Sequence, residues 1–195
     1  MVLFKCIGLS LKFVIEVLYA GGVVISMSSR IPLPYSPRVL EIFRNPKHFG
    51  ELKDADVIAR AGSPACGDLI TIYLKVERRD SEFRVVDAKF ESYGCAANIA
   101  AASILIDMII GRTLREAWKI SWREVSDELG GLPAIKYHCS ILAVGALKRA
   151  IRLYFEKIGC HPEWLPRDLT PVEKQVLDEE KAIELLKIVP RFNMG

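Results

Sequence analysis

Apolar and polar residues alternate along one central stretch of the chain, which predicts a β-strand with one buried face. The strand begins near Asp68, and its apolar face consists of Ile70, Ile72, Leu74 and Val76. Polar residues 78–81 predict a turn, after which a second strand runs from Glu82 to Glu91. We therefore expect an antiparallel hairpin, preceded by a further strand over residues 56–61.

The second strand of this hairpin contains an irregularity. Its alternation changes phase between Val85 and Val86. Such a change is typical of a β-bulge, in which one strand carries an extra residue and the following side chains return to the original face. The pattern therefore predicts a bulge at this point of the hairpin.

Apolar residues at helical spacing predict helices on both sides of the hairpin. Before it, Tyr35–Phe43 suit a short helix with Ser36 as the N-cap, and the pair 45–46, Asn-Pro, stops the run. After it, a helix is predicted from Cys95 to Ile110. Its apolar face consists of Ile99, Ala102, Ile106 and Ile109.

Three capping boxes mark further helix starts, each with a glutamate three residues after a hydroxyl side chain. They are Thr113–Glu116, Ser121–Glu124 and Thr170–Glu173. Between the second and third boxes, a long helix is predicted from His138 to Lys157. Its buried stripe consists of Leu147, Ala150, Ile151, Tyr154 and Ile158.

The order of these elements, a helix, then strands, then helices, indicates an α+β fold. We expect a small antiparallel sheet of about three strands with helices packed on one face. Residues 27–158 hold these elements and form the predicted domain, and residues 159–195 form a C-terminal helical extension.

Residues 1–26 form an apolar leader that needs a separate interpretation. Lys5, Lys12 and Glu16 interrupt it, and a charge near the centre of a membrane helix costs roughly 2.5–3.5 kcal/mol. A membrane span is therefore disfavoured. The leader is either an over-extended start, with Met27 as the true first residue, or a helix loosely attached to the domain.

Composition narrows the function classes. The chain has 195 residues, with 27 Lys and Arg against 24 Asp and Glu, and the two signs are interleaved. This balance does not indicate a nucleic-acid-binding protein. The five cysteines are odd in number and widely spaced, so a disulfide framework is a poor interpretation. Reduced thiols in a cytoplasmic protein indicate metal binding or catalysis.

Three of these cysteines fall at the boundaries of predicted elements. Cys66 lies in a turn before a strand, Cys95 follows Gly94 at the start of a helix, and Cys139 begins the long helix. Helix N-termini favour a thiolate and lower its pKa. Packing cysteines would lie within elements on apolar faces, so these positions favour a metal or sulfur site, although each alone could be a buried apolar residue.

Two neighbouring residues extend this ligand set. Asp68 adds a carboxylate two residues after Cys66, and His138 adds an imidazole beside Cys139. Three thiolates suit iron–sulfur clusters or zinc. An oxygen donor binds a thiophilic cluster less firmly than a fourth thiolate would, so the set suits a protein that must release its cluster.

Three blocks of the sequence together resemble one known family. They are Gly62–Asp68, Tyr93–Cys95 and Leu132–Ser140. They resemble the signature blocks of the IscU/NifU N-terminal family of iron–sulfur cluster assembly scaffolds, and the resemblance covers residues 35–158. It implies a SufE/NifU-like fold and a scaffold, not an enzyme, for assembly and transfer of a labile 2Fe–2S cluster.

The resemblance implies a role for each matched residue. Cys66, Asp68, Cys95 and Cys139 would be the cluster ligands, with His138 as an auxiliary ligand. Cys139 would also accept persulfide sulfur from a cysteine desulfurase. Zinc would occupy the same site when iron and the cluster are absent. Loops around 62–67 and 130–136 would close over the metal site.

The resemblance also implies partners. Acceptor apo-proteins would take the finished cluster, and the chain could form a homo-oligomer. A segment consisting of Leu132, Pro133 and Lys136 resembles the docking site for an Hsp70-type chaperone. The family pattern is broken there by Ala134 and Ile135, and residues 96–98 replace the usual glycine and serine.

Two other functions are compatible with the same residues. A sulfur-relay protein would accept persulfide on one cysteine and never build a cluster. A zinc-stabilised binding module would need its metal to fold. Cys160 and His161 stand apart from the ligand set, and we interpret them as structural or surface residues.

Overall fold

A three-stranded antiparallel sheet forms the centre of the structure, a computed structural model that describes residues 35–186. Its strands are β1 (Val57–Ser63), β2 (Asp68–Arg79) and β3 (Glu82–Tyr93), in the order β1-β2-β3. The predicted α+β class and strand number are confirmed. The leader, residues 1–26, lies outside the described part of the chain.

The hairpin between β2 and β3 has the predicted bulge. Lys75 pairs with Asp87 and Val76 pairs with Val85, so Val86 is the extra residue. The bulge restores the inward alternation, because Val85 and Ala88 are both fully buried. Asp80 and Ser81 form the two-residue turn with positive φ at both positions, the backbone that a tight hairpin requires.

Within residues 35–186 six α-helices accompany the sheet, and four of them begin at a predicted capping residue. Thr113 and Ser121 form complete capping boxes with the glutamates three residues later, and the Ser36 hydroxyl caps the first helix. The helices are α1 (Pro37–Arg44), α2 (Ala96–Ile109), α3 (Leu114–Lys119), α4 (Trp122–Glu128), α5 (Tyr137–Lys157) and α6 (Pro171–Leu186).

The core lies between one face of the sheet and helices α2 and α5. Helix α2 is buried on nearly all sides because it contacts β3, α1 and α5, whereas the sequence predicted a single apolar face. The stripe predicted for α5 is buried through Tyr154. Ile158 is the exception: it lies just past the end of the helix with 42% of its surface exposed, so its prediction was wrong.

The C-terminal extension packs on this core. Helix α6 lies against β1 and α5, and a Cβ at Gly145 would collide with Val176, which shows how close the two helices are. Arg152 on α5 donates a 2.7 Å hydrogen bond to Glu173, which completes the capping box with Thr170. Within the described residues, no helix is long and apolar enough to cross a membrane.

Candidate metal centre

The three cysteine-bearing segments meet at one end of the sheet. Cys66 is exposed in the turn between β1 and β2, and Asp68 is the first residue of β2. Gly67 takes the left-handed conformation (φ +74°), and its N–H donates to the Ser63 carbonyl to close the turn. Cys95 is the N-cap of α2, so the end of β3 brings it beside this turn.

Asp68 lies at the centre of the ligand set and is only 4% exposed. Its Oδ1 accepts a 3.1 Å hydrogen bond from the Cys95 N–H. Its Oδ2 lies 3.5 Å from the Cys95 Sγ and 3.6 Å from the Cys139 Sγ, and the two sulfur atoms are 3.6 Å apart. These three side chains therefore converge on one point.

His138 extends the set towards Cys66. Its Nε2 lies 3.6 Å from the Asp68 Oδ2 and 3.4 Å from the Cys139 Sγ. Its Nδ1 lies 2.9 Å from the Ile135 carbonyl oxygen, which can only accept a hydrogen bond. The proton consequently belongs on Nδ1, which leaves the Nε2 lone pair free for a metal.

Two overlapping groups of ligands share the Asp68 carboxylate. One comprises Cys66, Asp68 and His138, and the other comprises Asp68, Cys95 and Cys139. Within each group all ligand atoms lie within 4.8 Å of one another. The structure therefore brings together all five residues that the sequence singled out as ligands, with the Asp68 carboxylate shared by the two groups.

The two thiols at helix starts differ in acidity. Hydrogen bonding to Cys139 lowers the pKa of Cys95 to about 6, and a hydrogen bond from the Asn98 N–H helps. The same contact with Cys95, together with burial and the Asp68 charge, raises the pKa of Cys139. The predicted lowering of the thiol pKa is therefore confirmed for Cys95 and is wrong for Cys139. Cys139 is completely buried and keeps its proton beside the Cys95 thiolate.

Sequence reasoning missed two residues that interact with Cys95. Tyr35, just before α1, hydrogen-bonds to it, and burial followed by the Cys95 charge raises the pKa of Tyr35. Burial disfavours the charged form of Lys136 and by itself would lower its pKa. The negative charge of Cys95 and its neighbours outweighs burial, so the Lys136 pKa is raised. Nothing in the local pattern around Tyr35 indicated this, because the contact joins distant segments.

The segment that resembles a chaperone-docking site has some residues turned towards the protein and others that are exposed. Leu132 is buried in the core, and Lys136 interacts with Cys95. Ile135 is 79% exposed, and on the other side of the site Tyr93 is 81% exposed. Ile135 and Tyr93 are the most exposed large apolar side chains among the described residues. The docking role of Leu132, Pro133 and Lys136 stays a prediction.

Fold and site together define a class of protein: a small α+β domain that presents a sulfur-rich metal-binding site at one end of its sheet. Among the described residues, Cys160 and His161 belong to neither ligand group and are exposed. The chain belongs to the NifU-like N terminal domain family, whose model matches residues 34–161.

Individual relatives agree with this membership. The chain is 44% identical over 149 residues to the iron–sulfur cluster assembly scaffold protein IscU 1 of Archaeoglobus fulgidus, covering 74% of this chain and 95% of that protein. It is 40% identical over 130 residues to the scaffold protein IscU of Azotobacter vinelandii, covering 65% and 98%. The crystal structure of the SufU protein from Fervidobacterium islandicum matches with a TM-score of 0.50 at 22% identity, covering 60% of this chain and 96% of that one, which bears on the fold alone.

Proposed function

We propose that this protein is a scaffold on which iron and sulfur assemble into a labile 2Fe–2S cluster that is then handed to acceptor proteins. The observation that supports this most directly is the position of the Asp68 carboxylate in both ligand groups. A 2Fe–2S cluster needs ligands for each of its two irons. Asp68 belongs to both ligand groups and joins them into one site. The relatives named as scaffolds support the same role.

The ligand set suits temporary binding. Cys66 is exposed in a turn, so it can release its metal without disturbing the core. Asp68 supplies an oxygen donor, which binds iron in a thiolate-rich cluster less firmly than sulfur does. His138, with its Nδ1 held by the Ile135 carbonyl, provides a nitrogen ligand that can replace either of them during transfer.

Sulfur enters, in this proposal, on Cys139. The Cys139 thiol first gives its proton to the His138 Nε2, 3.4 Å away. The thiolate so formed attacks the outer sulfur of a persulfide on a cysteine desulfurase, the sulfur–sulfur bond of that persulfide breaks, and the desulfurase thiolate leaves. Reduction of the transferred sulfur to sulfide takes two electrons from a separate electron-donating partner. Because Cys139 is completely buried, the loops at 62–67 and 130–136 must open before the attack.

The surroundings of the site suit anionic cargo and protein partners. Lys136 places a positive charge beside Cys95, which stabilises thiolate and sulfide. Ile135 and Tyr93 expose apolar surface next to the ligands, where a desulfurase, an acceptor protein or an Hsp70-type chaperone would dock. The protein supplies ligands and orientation, and the partners supply sulfur and electrons, so its role is that of a carrier.

Anaerobic reconstitution tests the proposal. The protein is mixed with ferrous iron, cysteine and a cysteine desulfurase, and visible absorption is recorded over time. We expect sulfur-to-iron charge-transfer bands that disappear when an apo-ferredoxin is added and reappear on the ferredoxin. A colourless protein that carries persulfide would instead identify a sulfur relay. A protein that unfolds when zinc is removed, and that iron with sulfide does not restore, would identify a zinc module.

A further inference from the structure

Gly94 lies beside the site at a position where the backbone does not require glycine. Its φ is outside the positive range, so alanine could adopt the same conformation. A Cβ built at Gly94, however, would lie 2.5 Å from the Asp68 Oδ1 and 2.9 Å from the Asp68 Cγ. The space that a side chain would need is therefore already occupied by the Asp68 carboxylate.

Asn98 closes the other side of this space. Its Nδ2 would lie 2.8 Å from the same Cβ and donates a 2.9 Å hydrogen bond to the Ser92 Oγ. Asn98 is completely buried in the first turn of α2, so it has little room to move away. Its Oδ1 is buried without a hydrogen-bond partner, which costs stability and is unusual for a residue with only a packing role.

Together these contacts hold the carboxylate in one place. On one side the Cys95 N–H donates to the Asp68 Oδ1, and on another the bare Gly94 allows the close approach. Asn98 forms the remaining wall. Because a contact under 3.0 Å cannot persist, a methyl group at Gly94 forces its neighbours to shift, and the nearest of them is the Asp68 Oδ1 that accepts from the Cys95 N–H.

We propose that Gly94 is a positioning residue: its missing side chain, with Asn98 as the opposite wall, reserves the place of the Asp68 carboxylate and thereby sets how readily the site releases its metal. This inference rests on the proposed scaffold function and deepens it. Gly94 itself touches no metal, and its effect passes entirely through Asp68.

The first test needs no cluster. In ¹H–¹⁵N spectra of the metal-free protein, the Cys95 amide should be shifted by its hydrogen bond to Asp68 and protected from solvent exchange. We expect Gly94→Ala to move this resonance towards its position in Asp68→Ala and to speed its exchange by roughly tenfold or more. A Cys95 amide unchanged by Gly94→Ala would overturn the inference, whatever the protein's function.

The second test measures release of a reconstituted cluster to a chelator. We expect Gly94→Ala, like Asp68→Ala, to slow release, because it moves the weakly binding oxygen donor away from the metal. The expected size is roughly tenfold, in the range by which changes around a ligand alter metal binding. Added to Asp68→Ala, the Gly94→Ala change should have no further effect. Release at the wild-type rate, or an additive effect in the double variant, would contradict the proposal.

Whether the variants fold provides a third test of the proposal. If Gly94→Ala alone fails to fold, the double variant with Asp68→Ala should recover, because the collision with the carboxylate is removed and the space it leaves lets the Asn98 amide move away. Failure of both would mean that Gly94 serves another purpose and would overturn the inference. Failure of the wild-type protein to build any cluster would instead count against the scaffold function, while the Cys95 amide still reports on the position of Asp68.

Discussion

The burial of Asp68 indicates a ligand more specifically than the burial of the cysteines around it. A buried cysteine has an ordinary interpretation as a small apolar residue, but a carboxylate that is 4% exposed next to two sulfur atoms does not. Its hydrogen bond from the Cys95 N–H offsets part of the cost of burial. The remaining oxygen faces both sulfur atoms, as expected for a member of the same ligand set.

Replacing Asp68 tests its role in release. We expect Asp68→Ala to lengthen the lifetime of the cluster by roughly tenfold, since it removes the hard donor from an otherwise soft ligand set. The measurement is the decay of the visible bands in the presence of a chelator. Asp127→Ala, a change at an exposed aspartate, is the control and should behave like the wild-type protein. Equal or faster loss in Asp68→Ala would argue against the oxygen ligand as the source of lability.

Replacing Cys139 tests the sulfur acceptor. Serine has nearly the same size, so we expect Cys139→Ser to keep the fold and to lose persulfide transfer from the desulfurase. Mass spectrometry of the intact protein would detect the gain of one sulfur atom. Cys160→Ser, at an exposed cysteine outside both ligand groups, serves as the matched control. Persistent sulfur gain in Cys139→Ser would move the acceptor role to Cys66 or Cys95.

Among the elements, α6 depends on one buried ion pair for its start. Glu173 is 2% exposed and receives hydrogen bonds from Arg152 and from the Thr170 N–H and hydroxyl. Arg152 also donates to the Pro166 and Asp168 carbonyls. This arrangement joins α5, the loop that follows it and the first turn of α6, so one carboxylate supports three segments.

The ionisation of Glu173 should make stability depend on pH. Burial raises its pKa, but the Arg152 and Thr170 hydrogen bonds outweigh burial and lower it below the usual 4.5. The folded form thus holds this proton less tightly than the unfolded chain. The stabilisation from ionised Glu173 is fully present above pH 4.5, and it is lost as the pH falls through the lowered pKa of Glu173 in the folded protein.

Glu173→Gln removes this contribution. Near neutral pH we expect a loss of about 3 kcal/mol in the free energy of unfolding, the usual cost of leaving a buried charge unpaired. Below pH 4.5 the difference from the wild-type protein should shrink, because there the unfolded chain takes up a proton at Glu173 that the folded protein accepts only at lower pH. Urea titrations across this range would measure both, with the exposed Glu163→Gln as the control. A pH-independent difference would show that Glu173 acts by packing alone.

For the whole molecule, the extension and the scaffold domain share one set of contacts. The Trp118 ring of α3 lies 6.4 Å from the Trp164 ring of the extension, and Phe155 of α5 packs against Trp164. Gly145 lets Val176 approach α5 closely. These contacts make the extension part of the core that surrounds α5, beyond residues 34–161 matched by the family model.

We therefore expect the extension and the scaffold domain to unfold together. In a Trp122→Phe variant, tryptophan fluorescence reports on the Trp118–Trp164 contact, and far-UV circular dichroism reports on all helices and strands. In urea the two signals should give coincident transitions with a single midpoint. A fluorescence transition that precedes the loss of circular dichroism would mean that the extension detaches first.

Short-range signals in the sequence determined much of this protein. Alternation predicted the hairpin and its bulge at Val86, and hydroxyl–glutamate pairs predicted the helix starts at Thr113, Ser121 and Thr170. Such features depend on residues a few positions apart, so the local sequence predicts them. The identity of the candidate ligands was also readable, because their residue types and their places at element boundaries belong to the sequence.

Only the tertiary structure decided how those residues meet. The contact between Asp68 and Cys139 joins positions 71 residues apart, and no local pattern specifies its distance. The contact with Cys95, together with burial, raises the pKa of Cys139 although its place at a helix start favours the opposite. The contact of Tyr35 with Cys95 and the space at Gly94 likewise depend on packing between segments. Periodicity indicates which face of an element is buried, but the distances and charges of a site arise only when separate elements pack together.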